Sequence, residues 1–128
     1  MRTALTHVCL FSDDLPRLGR FYETVLETPA TVYGTDYMEF STDGAVLSLY
    51  AVKAMEELAP GAVREGGTGG AMIMEFRVED VDREYRRLQA HDIAWVKPPT
   101  TQPWGNRSIY LRDPDGNLVN LYSRVEGT

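Results

Sequence analysis

Thr42-Asp43-Gly44-Ala45-Val46-Leu47-Ser48-Leu49-Tyr50 and Pro114-Asp115-Gly116-Asn117-Leu118-Val119-Asn120-Leu121-Tyr122 are two versions of one pattern. Laid on each other at an offset of 72, they match identically at four of nine positions (Asp, Gly, Leu and Tyr) and in kind at Val46/Leu118 and Leu47/Val119. In each, an Asp-Gly turn feeds an apolar run, the mark of a tight turn leading into a strand. A weaker echo lies upstream. His7-Val8-Cys9-Leu10-Phe11-Ser12-Asp13-Asp14 lies on Ile73-Met74-Glu75-Phe76-Arg77-Val78-Glu79-Asp80 at an offset of 66. Two matches in the same order point to an internal duplication, the difference in offset being absorbed in the later strands or loops of the second copy.

Each copy begins with a strand-like run that ends in acidic residues and passes into a helical pattern. In the first, a strand over about 5–12 precedes a helix over about 15–26, introduced by Asp13 and Asp14, whose carboxylates accept from first-turn N–H groups. Pro16 stands in the first turn, where its missing N–H costs little. Leu15, Leu18, Phe21, Tyr22 and Val25 recur at helical spacing and form the expected buried face. Short strands follow near 30–33, 37–41 and 46–52. The second copy predicts a strand at 71–78, a helix at 81–91 with Val81, Tyr85 and Leu88 inward, and strands at 94–97, 107–112 and 118–124. Each half therefore reads β-α-β-β-β, an α+β chain of two tandem units.

The units span about 1–52 and 71–128 of a single domain, joined by a linker at 53–70. The linker holds a short helical piece near 54–58 and the run Gly66-Gly67-Thr68-Gly69-Gly70. A phosphate cradle needs a strand before such glycines and a helix after them; here a strand follows, so a flexible connector is expected.

The chain has 128 residues, of which 43% are apolar. That is one domain's worth of chain, large enough for a proper core. A net charge of −6, from 19 carboxylates against 13 Lys and Arg, argues against a nucleic-acid footprint and favours cationic or neutral ligands. No apolar run approaches the ~20 residues of a membrane span, and the start of the chain lacks a signal peptide's apolar stretch. The single cysteine, Cys9, fits a reducing compartment, so a cytoplasmic protein is expected. No neighbouring cation in sequence would activate Cys9, so it is expected to be inert. Glu79, Asp80, Asp82 and Glu84, interleaved with Arg83, Arg86 and Arg87, read as a solvated helix face.

The paired units, the helix ending Phe21-Tyr22-Glu23-Thr24-Val25-Leu26, and Asp113-Pro114-Asp115-Gly116-Asn117 before the last strand closely resemble the vicinal oxygen chelate superfamily. That group includes glyoxalase I, extradiol dioxygenases, fosfomycin-resistance transferases and bleomycin-resistance proteins. The resemblance covers nearly the whole chain. It implies that each unit curls into a half-barrel cup, that cups face one another around a cavity, and that the protein is a homodimer with two such cavities. It does not select a chemistry, because the superfamily hosts several.

In the metal-dependent branches each unit offers one ligand from its first strand, His or Gln, and one from its fourth, Glu. The matching positions are His7, Ser48, Ile73 and Asn120. Only His7 keeps a strong donor, and an imidazole with two neutral oxygens is a poor cage for a divalent cation. No metal and no other cofactor is therefore expected. Glu75 shares a strand face with Ile73 and is the residue that could serve an atypical site; His91 falls outside, on the second helix.

Strand alternation sets the expected ligand-binding wall: His7, Cys9 and Phe11; Ser48 and Tyr50; Ile73 and Glu75; Asn120 and Tyr122. Tyr110, ten residues before Asn120, resembles the tyrosine of the extradiol dioxygenases, and the repeat offset makes Met38 its counterpart. Trp104 and Arg107, in a Pro-Trp-Gly-x-Arg stretch, resemble the antibiotic-binding side of the family, with Trp104 a platform for a planar ring or a packing residue. Trp95 reads as core. Such a wall is aromatic and apolar with a few polar points, as in preformed small-molecule pockets. The leading expectation is non-catalytic sequestration of an antibiotic or other aromatic natural product. The alternatives are a glyoxalase- or dioxygenase-like lyase or oxidoreductase, either with metal in an unusual site of His7 and Glu75 or metal-free with Tyr110, His7 and Glu75 as acid/base groups, and a regulatory or structural scaffold.

Overall fold

The computed structural model describes residues 2–63 and 72–125. The glycine run at 66–70 and the expected strand start at Ala71 lie outside the described residues. The chain divides into two compact units, Met1–Thr68 and Gly69–Thr128.

The first unit runs β1 (His7–Ser12), α1 (Leu15–Leu26), β2 (Thr31–Tyr33), β3 (Tyr37–Phe40), β4 (Val46–Ala51) and α2 (Val52–Leu58). Its sheet has the order β1-β4-β3-β2, with β1 parallel to β4 and the other pairs antiparallel. The Asp14 carboxylate caps α1, accepting from Arg17 N–H at 3.2 Å, and Pro16 sits in the first turn. Leu18 and Tyr22 are fully buried with Leu10, Phe40 and Leu49, and the Tyr22 ring meets Phe40 at 6.2 Å. Phe21, expected inward, is only half-buried and packs edge-on against Tyr22. Gly19 is buried instead, and a Cβ there would lie 2.6 Å from Met38 Sδ.

The second unit runs β5 (Ile73–Arg77), α3 (Val81–Leu88), β6 (Ala94–Thr101), β7 (Asn106–Arg112) and β8 (Leu118–Arg124), with sheet order β5-β8-β7-β6. Asp80 caps α3 by accepting from Arg83 N–H at 3.1 Å. Asp82 and Glu84 in its first turn and Arg86 and Arg87 in its last complement the helix dipole. The helix stops at Leu88, the N–H groups of Gln89, Ala90 and His91 after it bond to carbonyls three residues back, and His91 is exposed beyond it. Val81 and Leu88 are buried, and Tyr85 packs edge-on against Trp95 at 4.8 Å, both rings being only half-buried, so Trp95 lies at the margin of the core and not within it. β6 continues through Pro98 and Pro99 to Thr101, with register breaks on both sides of Lys97. It is an edge strand, where prolines cost no ladder bond on the open side.

The two β-hairpins differ by one residue. Phe40 pairs with Leu47 and Leu111 with Val119, enclosing 41–46 in one case and 112–118 in the other. The Thr42 hydroxyl accepts from Gly44 N–H at 2.9 Å and donates to the Ala45 carbonyl at 2.7 Å. Asp113 begins the second turn in the same way, accepting from Asp115 N–H at 2.9 Å. Its carboxylate also takes Asn117 N–H at 2.9 Å and Asn117 Nδ2 at 2.8 Å, while Gly116 adopts φ 87°. Thr42 is thus the counterpart of Asp113, an offset of 71; the extra residue enters after Asp115, and beyond it the offset is 72.

Candidate functional site

In each sheet one face packs against the helix that follows the unit's first strand, α1 or α3, and the other face is free of that helix. On the free face of the first sheet, the register aligns residues in rows across the strands. Phe11, Tyr50, Tyr37 and Tyr33 stand level across β1, β4, β3 and β2, and Cys9, Ser48, Glu39 and Thr31 form the next row. An aromatic row lies beside a polar one. His7 is two residues before Cys9 on the same face.

The rows are tied together by hydrogen bonds. Tyr37 OH donates to Glu39 Oε2 at 2.6 Å and lies 2.8 Å from Ser48 Oγ. Because the single phenolic proton goes to the carboxylate, the Ser48 hydroxyl must donate to Tyr37. Ser48 is buried, so this bond satisfies a group removed from water. His7 Nε2 stands 3.4 Å from the same Glu39 oxygen, and its Nδ1 is 3.0 Å from Thr6 Oγ1. Burial, followed by the bond to Glu39, pushes the Tyr37 phenol above its ordinary range. Burial also raises the Cys9 thiol, which keeps it neutral near pH 7. The Tyr37 ring meets Tyr50 at 5.3 Å and Tyr33 at 5.9 Å, tilted by 68° and 46°.

In the second unit, Glu75, Asn120, Tyr110 and Lys97 form one row across β5, β8, β7 and β6. Arg77, Tyr122 and Ser108 stand level on one side of it, and Ile73, Leu118 and Arg112 on the other. Asn120 Nδ2 donates to Glu75 Oε2 at 2.8 Å. That bond fixes the amide orientation and leaves Asn120 Oδ1 buried with no hydrogen-bond partner among the described residues. Ile73, Glu75, Tyr110, Asn120 and Tyr122 thus share one face.

Two expected wall residues lie elsewhere. Met38 pairs with Leu49 on the helix-packed face, with its sulfur against Gly19. The constant offset of 72 misplaces it by one residue, and a one-residue slip moves a side chain to the opposite face. The counterpart of Tyr110 is Glu39, since Tyr110 pairs with Asn120 as Glu39 pairs with Ser48. Arg107 likewise points to the helix side. Its Nε and Nη2 bind Asp82 Oδ2 and Oδ1 at 2.8 and 3.0 Å, a two-pronged bridge to α3. That bond holds the Asp82 carboxyl below its ordinary range and raises the guanidinium. Trp104 stands in the β6–β7 turn, 68% exposed.

The sequence reading missed Tyr33, Tyr37 and Glu39. Alternation along β3 reveals Tyr37 and Glu39 once the length of the first hairpin is known, and pairing with Tyr37 across the β2–β3 ladder adds Tyr33.

The family's metal positions do not fit a divalent cation in this chain. In the first unit, His7 stands level with Val46, the carboxylate beside it is Glu39 at 3.4 Å, and the Ser48 hydroxyl is committed to Tyr37. In the second, Ile73 has no donor atom and Asn120 supplies a neutral amide. Among the described residues, no three His, Cys, Asp or Glu side chains come together as a metal-holding group. What the free faces offer is stacking surface, hydrogen bonding and a few charged side chains.

The model of the Glyoxalase/Bleomycin resistance protein/Dioxygenase superfamily matches residues 4–121. YraH of Bacillus subtilis, described as an uncharacterized protein, is 27% identical over 126 residues, covering 94% of this chain and 98% of that protein. A glyoxalase/bleomycin resistance protein/dioxygenase from Nocardioides superposes with a TM-score of 0.82 at 27% identity, over 100% of this chain and 87% of that one. A glyoxalase-related enzyme from Fulvimarina pelagi shares the fold, with a TM-score of 0.81 at 21% identity over 96% and 89% of the two chains.

Proposed function

The chain belongs to the glyoxalase/bleomycin resistance protein/dioxygenase superfamily, and from that premise we propose that it binds and sequesters a small aromatic molecule, such as an antibiotic or other planar natural product, without altering it. The observation that carries this reading is the aromatic row Phe11, Tyr50, Tyr37 and Tyr33 beside the polar row of Ser48 and Glu39. Flat rings supply stacking area, and a few oriented polar groups select the ligand, the usual division of labour in small-molecule sites. The donor set supports a reading without chelation, since a metal centre would want carboxylates at positions 48 and 120. In this proposal the protein acts in the cytoplasm as a homodimer and confers resistance by lowering the free concentration of its ligand.

Isothermal titration against a panel of planar and glycopeptide-type antibiotics tests it, with light scattering for the dimer. Submillimolar binding, with the ligand recovered unchanged by mass spectrometry, is the expected result. Failure of the whole panel to bind tighter than roughly 1 mM, about −4 kcal/mol, would overturn it.

A second reading rests on the chain from Ser48 through Tyr37 to Glu39, with His7 at the same oxygen. Linked imidazole, carboxylate and phenol groups are the equipment of metal-free acid–base catalysis. Recovery of a chemically changed ligand, with loss of that change in His7→Gln, would favour it over sequestration.

A further inference from the structure

We infer, resting on the small-molecule-binding reading above, that the free face of the first sheet recognises an organic cation, a protonated or quaternary amine bearing an apolar or aromatic substituent, with Glu39 as its counter-charge. Tyr33, Tyr37 and Tyr50 stand in register on adjacent strands, with their rings inclined to one another by 46° and 68°. A tyrosine ring attracts a cation through its electron-rich face, not its positive edge, and three closely spaced rings on one sheet face offer such surface beside a carboxylate. Glu39 lies two residues from Tyr37 on the same strand face, its side chain 22% exposed.

The hydrogen bonds hold this carboxylate in place without using it up. Tyr37 occupies Oε2, His7 stands 3.4 Å from the same atom, and Oε1 accepts no hydrogen bond among the described residues. The two rows carry no Lys or Arg: their members are Phe11, Tyr50, Tyr37 and Tyr33, then Cys9, Ser48, Glu39 and Thr31. An anionic ligand would meet this carboxylate with no fixed cation to offset it. The free face of the second sheet is different, since Arg77, Arg112 and Lys97 accompany Glu75 there. The cation preference therefore belongs to the first sheet.

The test is a heteronuclear NMR titration of the full chain with benzyltrimethylammonium and with uncharged benzyl alcohol. The cation should bind at least about tenfold more tightly than the alcohol, shifting amides of Glu39, Ser48 and Tyr50. Glu39→Gln keeps an acceptor for Tyr37 while removing the charge. It should weaken the cation about tenfold and leave the alcohol unchanged. Tyr50→Leu, a second variant independent of the carboxylate, should weaken the cation as well. Equal affinity for the two probes, indifference to Glu39→Gln, or shifts confined to β5–β8 would overturn the inference while leaving small-molecule binding intact. Absence of cation binding at tens of millimolar would also overturn it, and the broader reading would then stand or fall on the antibiotic panel.

Discussion

The Tyr37 hydroxyl donates to Glu39 Oε2 across 2.6 Å between residues two apart on one strand, and accepts from buried Ser48 on the next. Tyr37 is thus the hinge of the polar network on the first sheet. Removing its oxygen strands a buried hydroxyl. Tyr37→Phe should cost about 1–2 kcal/mol in urea unfolding, and Ser48→Ala in the Tyr37→Phe background should recover part of the loss.

The same phenol sets an alkaline limit. Its folded-state pKa is raised above the ordinary 10.0, chiefly by burial and next by Glu39. The stabilisation tied to the protonated phenol is therefore complete below the unfolded value and is lost as pH rises through the folded one. Stability of the native protein should fall more steeply above pH 10.0 than that of Tyr37→Phe. Chemical denaturation at successive pH values, with tyrosinate absorbance as a second signal, measures the difference.

Arg107 and Asp82 form a structural bridge, so substitution there should act on stability and spare binding. Both side chains are substantially exposed, and Arg107→Ala should cost only about 0.5–1 kcal/mol at neutral pH. Because the Asp82 pKa is lowered, this contribution is present above the unfolded value of 3.8 and disappears as pH falls through the folded value. The wild-type and variant stability curves should converge in acid, and ligand affinity should stay the same.

Gly19 and Met38 are a coupled pair. Alanine at a helical glycine usually gains up to about 1 kcal/mol, but here the new Cβ would meet Met38 Sδ at 2.6 Å. Gly19→Ala should therefore bring no gain in the native background and a clear gain beside Met38→Ala. A double-mutant cycle should return a coupling of about 1 kcal/mol or more.

Asn120→Asp would set a second carboxylate at hydrogen-bonding distance from Glu75. Two such groups cannot both ionise cheaply, so one carboxyl pKa rises and the variant loses stability as pH climbs through it. About 1–3 kcal/mol should be lost at pH 7 and much of it regained near pH 4, measured by urea unfolding at both values.

Element types and their order were legible because their causes are local. The carboxylates that cap α1 and α3, the apolar spacing of Leu15, Leu18, Tyr22 and Val25, and the Asp-Gly turns act over a few residues. The shared face of His7, Cys9 and Phe11, and that of Ile73 and Glu75, followed from alternation within one strand. Which residues of neighbouring strands stand level is a different matter, set by how many residues each hairpin closes over. Thr42 closes its turn one residue sooner than the Asp113–Asn117 lattice does, and that difference places Glu39, not Met38, opposite Ser48. Arg107 shows the same division: the chain pattern announces a cation at the start of β7, while the reach of α3 assigns it to Asp82. Local chemistry writes the elements into the chain; pairing between strands, with its period of two, chooses the side chains that meet on the free face.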